Sequence, residues 1–127
     1  MKTDFKCPHC SNLLNAGPNI VFTSRNRLGK EGIIMLHPEL GNYTVNRHPD
    51  FEVPNDEMLE FYCPYCKEQL KSEKNPYLAW IRMSDETGLE YDIHFSRIAG
   101  QHATYKITGK NVETFGEDAE EYMDSIK

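Results

Sequence analysis

No stretch of this chain approaches the roughly 20 consecutive apolar residues that a membrane-spanning helix requires. Its first residues, Met1 to Phe5, also lack the apolar core of a secretory leader and carry Lys2 and Asp4 instead. Together these absences predict a cytoplasmic protein with no membrane partner. Basic charge is short as well: 14 Lys and Arg stand against 20 Asp and Glu, for a formal net charge of -6. Nucleic-acid binding depends on clustered cations, so that balance argues against it. The one local cluster, Arg25, Arg27 and Lys30, falls in a polar connector and reads as a solvated turn. Nor is there a glycine-rich phosphate loop, a G-x-S-x-G elbow or an H-E-x-x-H pair. The acidic pairs Asp85-Glu86 and Glu120-Glu121 lie on a turn and a helix surface, where solvation explains them. No residue is therefore assigned a catalytic role, and the reading favours a binding protein over an enzyme.

What remains fits one globular domain over residues 1–127, with 39% hydrophobic and 27% charged residues. Short β-branched apolar runs dominate. Ile20 to Thr23 and Gly32 to Leu36 flank the polar connector Ser24 to Glu31 and predict a hairpin. Asn42 to Val45 and Phe51 to Val53 are shorter strand candidates among prolines, and Met58 to Tyr62 is another. Tyr77 to Met83 and Leu89 to Phe95 flank a second turn-rich connector. In the latter arm Leu89, Tyr91, Ile93 and Phe95 alternate with Glu90, Asp92 and His94, which predicts one buried face. His102 to Thr108 supplies a further strand. Ala119, Tyr122, Met123 and Ile126 fall at helical spacing behind acidic residues, the pattern of a short amphipathic helix. The expected fold class is mainly β, a small α+β protein with a β segment between two cysteine pairs, a following hairpin or meander and a short C-terminal helix.

Cysteine is scarce, and all four cysteines stand in two C-x-x-C pairs, Cys7 with Cys10 and Cys63 with Cys66. In a reducing compartment that arrangement predicts metal ligands rather than disulfides. Structural zinc takes four tetrahedral ligands, and two intervening residues let each pair aim both sulfurs at one centre. Each pair sits in the same local pattern, F-x-C-P-x-C-x-x-x-L, at residues 5–14 and 61–70. This pattern resembles the paired knuckles of zinc-ribbon and rubredoxin-like proteins. The resemblance covers the knuckles alone and implies one four-thiolate metal site in a single zinc-ribbon domain. The 52 residues between Cys10 and Cys63 exceed the spacing of compact ribbons and read as a β insertion between the knuckles. One structural Zn2+ is expected, held by Cys7, Cys10, Cys63 and Cys66 in an accessory subunit whose partner is another protein.

Two alternatives stay open. Rubredoxin-like iron would make the protein an electron carrier, although rubredoxins carry glycine after each knuckle where this chain has Ser11 and Lys67. Cys7-Pro8-His9-Cys10 also resembles the active site of bacterial periplasmic thiol oxidases, and Cys63-Pro64-Tyr65-Cys66 that of glutaredoxins. A thiol-disulfide oxidoreductase would need a strand before the motif and a helix after it. Six residues precede Cys7, and Pro76 would cut short a helix over Lys67 to Lys74. Among the histidines, His9, His37 and His48 read as solvated or capping residues. His94 and His102 flank a bend that could gather them with Arg97 and Gln101 into an acid/base or anion-binding cluster.

Overall fold

A computed structural model describes residues 3–126. The architecture is mainly β, as expected: two antiparallel sheets packed face to face and a short C-terminal helix. The first sheet runs in the order β1 (Asp4–Lys6), β7 (Leu78–Ser84), β8 (Glu90–Ser96), β9 (Thr104–Thr108), β10 (Asn111–Phe115). The second contains β2 (Asn15–Ala16), β3 (Asn19–Arg25), β4 (Glu31–Leu36) and β5 (Val45–Arg47), with β6 (Glu60–Tyr62) also on β3. Because β4 pairs along β3 from Ile20 to Arg25, β2 and β6 share the opposite edge of that strand.

Alternation decides which side chains fill the space between the sheets. Ile20, Phe22 and Ser24 are buried along β3, as are Ala79, Ile81 and Met83 along β7. Phe22 and Phe61 from the second sheet meet Phe95 from the first, with ring centroids 5.2 to 5.9 Å apart. The outer face of the first sheet is covered too. Leu78, Tyr105 and Ile107 pack beneath Ala119, Tyr122 and Ile126 of the 3-10 turn Ala119–Tyr122 and helix α1 (Met123–Ile126), and the Tyr105 hydroxyl donates to the Ala119 carbonyl. Gly116 makes this return possible: at φ 94° it lies where a Cβ would meet the His102 carbonyl oxygen.

The repeat visible at the cysteines extends through most of the fold. The register pair Thr23↔Ile33 in β3–β4 recurs as Arg82↔Asp92 in β7–β8, and Leu36↔Val45 in β4–β5 recurs as Phe95↔Thr104 in β8–β9. Both hairpin turns are built alike. Asn26 Oδ1 accepts the Leu28 and Lys30 N–H groups, and Asp85 Oδ1 accepts those of Thr87 and Leu89. Gly29 and Gly88 then supply φ of 81° and 87°. The segment between the knuckles is thus the body of a first unit whose second copy follows the second knuckle. Each unit is a knuckle, a hairpin and a further strand.

Strand boundaries shifted where pairing rather than pattern decides. The Asn42–Val45 candidate forms its strand at Val45–Arg47, opposite β4, and Phe51–Val53 forms none. Phe51 is nonetheless buried, capping Gly32, where a Cβ would lie 2.6 Å from its ring. His94 departs from the expected solvent face. It is buried because Ser72 and Trp80 cover the outer side of β8 there. No helix among the described residues is long and apolar enough to cross a membrane.

Truncating the aromatic contact between the sheets measures how much it holds. Phe22→Ala removes a fully buried ring touching both sheets and is expected to lower unfolding stability by about 3–5 kcal/mol. Urea denaturation of the two proteins at one pH checks it; a loss under about 1 kcal/mol would contradict the packing described.

Candidate metal centre

Each cysteine pair lies in a hairpin that joins one sheet to the other. β1 ends at Lys6, the chain turns through Cys7-Pro8-His9-Cys10, and Lys6 bridges back to Leu13. β6 ends at Tyr62, turns through Cys63-Pro64-Tyr65-Cys66, and Tyr62 bridges to Gln69. The hydrogen bonds match one for one. Leu14 and Leu70 donate to the Phe5 and Phe61 carbonyls, both at 2.7 Å, while Cys7 and Cys63 donate to the Asn12 and Glu68 carbonyls, both at 3.1 Å. The exchange between sheets is crossed. The first hairpin starts beside β7 and hands Leu14 to Val21 of β3, whereas the second starts beside β3 and hands Leu70 to Trp80 of β7.

Ser11 and Lys67, immediately after each pair, adopt φ of 64° and 68°. These are left-handed conformations that glycine takes at no steric cost. The knuckle backbone therefore forms without glycine, and the absence of glycine no longer discriminates between zinc and iron.

Crossing the hairpins brings all four sulfurs within 4.8 Å of one another. Cys7 Sγ lies 3.7 Å from Cys66 Sγ, and Cys10 Sγ lies 3.7 Å from Cys63 Sγ. These short contacts join residues of different knuckles, and all four thiols are free of disulfides. A metal–sulfur distance of about 2.3 Å implies a regular tetrahedron with edges of about 3.8 Å, so the donor set fits one tetrahedral ion. Two backbone amides and the side-chain amide of Asn12 supply a second layer. His9 N–H points at Cys7 Sγ at 3.3 Å, Tyr65 N–H at Cys63 Sγ at 3.4 Å, and the Asn12 amide at Cys10 Sγ at 3.4 Å. Such donors stabilise thiolate charge.

Electrostatics differ within the set. Burial pushes the Cys7 thiol up to about 12 and raises Cys63 as well. The Asn12 backbone hydrogen bond, aided by its side chain, brings Cys10 down to about 7. The buried pair thus resists ionisation, and a metal ion binding to it would have to displace protons. No helix follows Cys63: the stretch from Lys67 to Lys74 consists of bridges and bends, so no helix dipole activates a nucleophilic thiol there.

Of the four residues that the bend could have gathered, Arg97, Gln101 and His102 line one cavity between the sheets, His94 is not among its lining residues, and each side chain is engaged by other partners. His94 Nδ1 lies 2.9 Å from Ser72 Oγ, with its ring stacked on Trp80. Arg97 donates from Nε and Nη1 to the Leu59 and Pro76 carbonyls. His102 stacks on Tyr43 at 4.3 Å and pairs with Glu117 at 3.2 Å. Gln101 Oε1 accepts from Ser96 and Tyr122. Each of the four joins a different pair of segments. His9 packs edge-on to Trp80 beside the first knuckle, while His37 and His48 cap their own loops through Nδ1. Comparison with protein-family models, curated proteins and solved structures found no match to this chain.

Burial lowers His94 from 6.5 to about 4, opposed weakly by Asp92 and reinforced by Lys74. Above pH 6.5 the imidazole is neutral folded and unfolded, so it contributes no pH dependence. As pH falls from 6.5 towards 4 the unfolded chain takes up a proton that the folded one refuses, and folding weakens by an amount on the order of 3 kcal/mol. His94→Gln should flatten the stability profile between pH 6.5 and 5 relative to the parent protein. Denaturation curves at several pH values test this, and parallel profiles would show that His94 is not the buried neutral group.

Proposed function

We propose that Cys7, Cys10, Cys63 and Cys66 hold one Zn2+ as a structural crosslink, and that the protein is a cytoplasmic binding or accessory subunit for another protein. The observation that carries this reading is the sulfur cluster, whose cross-knuckle spacing of 3.7 Å fits a tetrahedral ion. Four thiolates close the coordination shell and leave no position for a substrate. When bound, zinc would supply charge neutralisation and rigid geometry and no redox step. The chain's own residues do the rest: the two hairpins position the sulfurs, and the amides of His9, Tyr65 and Asn12 orient towards them. Beside the sulfurs the knuckles expose Leu13 and Tyr65, large apolar side chains of the kind a protein partner covers.

Metal analysis after purification without added metal is expected to give about one zinc per chain, with X-ray absorption showing four sulfurs at about 2.3 Å. Cys63→Ser should lower the content severalfold and depress the melting temperature. Less than half an equivalent of zinc, visible absorption from bound iron, or insulin reduction by the metal-free protein would each overturn the reading.

A further inference from the structure

The two sheets do not close on each other along their whole length. Between them lies a cavity of about 400 Å3, within the range of small-molecule pockets. Its floor is the buried layer that includes Phe22, Ile34 and Phe61. Leu36, Leu40, Val53 and Phe95 pack against that layer and line the cavity, yet remain partly accessible. Apolar side chains turned towards a core and left uncovered form a wall suited to a hydrocarbon body.

Charge at this cavity is unusual for an acidic protein. Of the five arginines, Arg25, Arg27 and Arg82 pair with Glu31, Glu57 and Asp92. The other two, Arg47 and Arg97, make no ion pair among the described residues, and both line the cavity. Arg97 is buried, with its guanidinium bound to two carbonyls. Arg47 stands at the rim. It lies directly opposite Ile34 in the β4–β5 register, so it shares the inward face, and its Nη1 donates to the Phe51 carbonyl at 2.7 Å.

The duplication sharpens the contrast. Lys106 occupies the place of Arg47 in the second unit, and its Nζ lies 3.9 Å from Glu113 of β10 and 4.4 Å from the Tyr91 ring. The first unit has no strand equivalent to β10, and Arg47 is left without an acid. Glu39 is the carboxylate among the lining residues, and it pairs with neither arginine.

We propose that this cavity binds an amphipathic carboxylate, its hydrocarbon body between the sheets and its carboxylate on Arg47 at the mouth. The planar guanidinium offers two parallel donors to a carboxylate, and its exposed position leaves the head partly hydrated while the tail is desolvated. The inference is independent of which metal the cysteines hold.

Calorimetric titration of the purified, metal-loaded protein with octanoate, octanol and octylamine, at equal ionic strength and below micelle formation, tests it. Saturable one-to-one binding of octanoate is expected, at least tenfold tighter than that of octanol or octylamine. Arg47→Gln, a change on an exposed side chain, should weaken octanoate at least tenfold and erase its preference over octanol. Val53→Trp should fill the cavity and abolish binding, with melting curves showing both variants folded. Amide shifts on adding octanoate should cluster in residues 36–53 and 95–104. No saturable octanoate binding, affinity unchanged in Arg47→Gln, or shifts confined elsewhere would overturn the proposal.

Discussion

The two cysteine hairpins meet because each begins in one sheet and ends in the other, and the rest of the molecule follows from that crossing. β1 and β6 lie in different sheets, and their following residues trade places around the sulfur cluster. An ion held there would fasten the sheets together at the point where the chain passes between them. Structural zinc in finger peptides contributes an apparent 10 to 16 kcal/mol or so, a large quantity beside the net stability of any small domain. The cluster Phe22, Phe61 and Phe95 lies in the same inter-sheet layer, so apolar burial and the proposed coordination act on one interface.

Two copies of one unit build this interface, and their differences are more informative than their likeness. The second unit is sealed: β10 covers the edge of β9, and the C-terminal helix covers the outer face. The first unit ends in β5, an edge strand followed by a long connector that returns to β6. Lys106 and Arg47 occupy equivalent places, yet one has an acid from β10 and the other does not. The cavity opens where the first unit lacks what closes the second.

Much of the site was legible in the sequence because its chemistry is local. A C-x-x-C turn commits two sulfurs to one direction, and the matched F-x-C-P-x-C-x-x-x-L pattern repeats that commitment. The hairpins at β3–β4 and β7–β8 were legible for a related reason, since apolar runs bounded by turn residues specify their own partners. The longer duplication was not. Its spacing changes between knuckle and hairpin, and few identities survive, among them Gly29 with Gly88, Ile34 with Ile93 and Gly41 with Gly100. Hydrogen-bond register preserves a resemblance that side chains have lost. β10 is not legible in the sequence because Asn111 to Phe115 has only Val112 and Phe115 as apolar residues and depends on β9 for its pairing.

The sequence alone determined the four candidate sulfur donors, the turn that aims each pair and the alternation that gives each strand an inner face, because each depends on residues only a few positions apart. Tertiary structure decided which sulfurs approach which, why His94 is buried on a face that reads as polar, and which arginines are left without an acid. Those outcomes depend on contacts between segments far apart in the chain, where pairing register and packing, rather than neighbouring residues, set the distances.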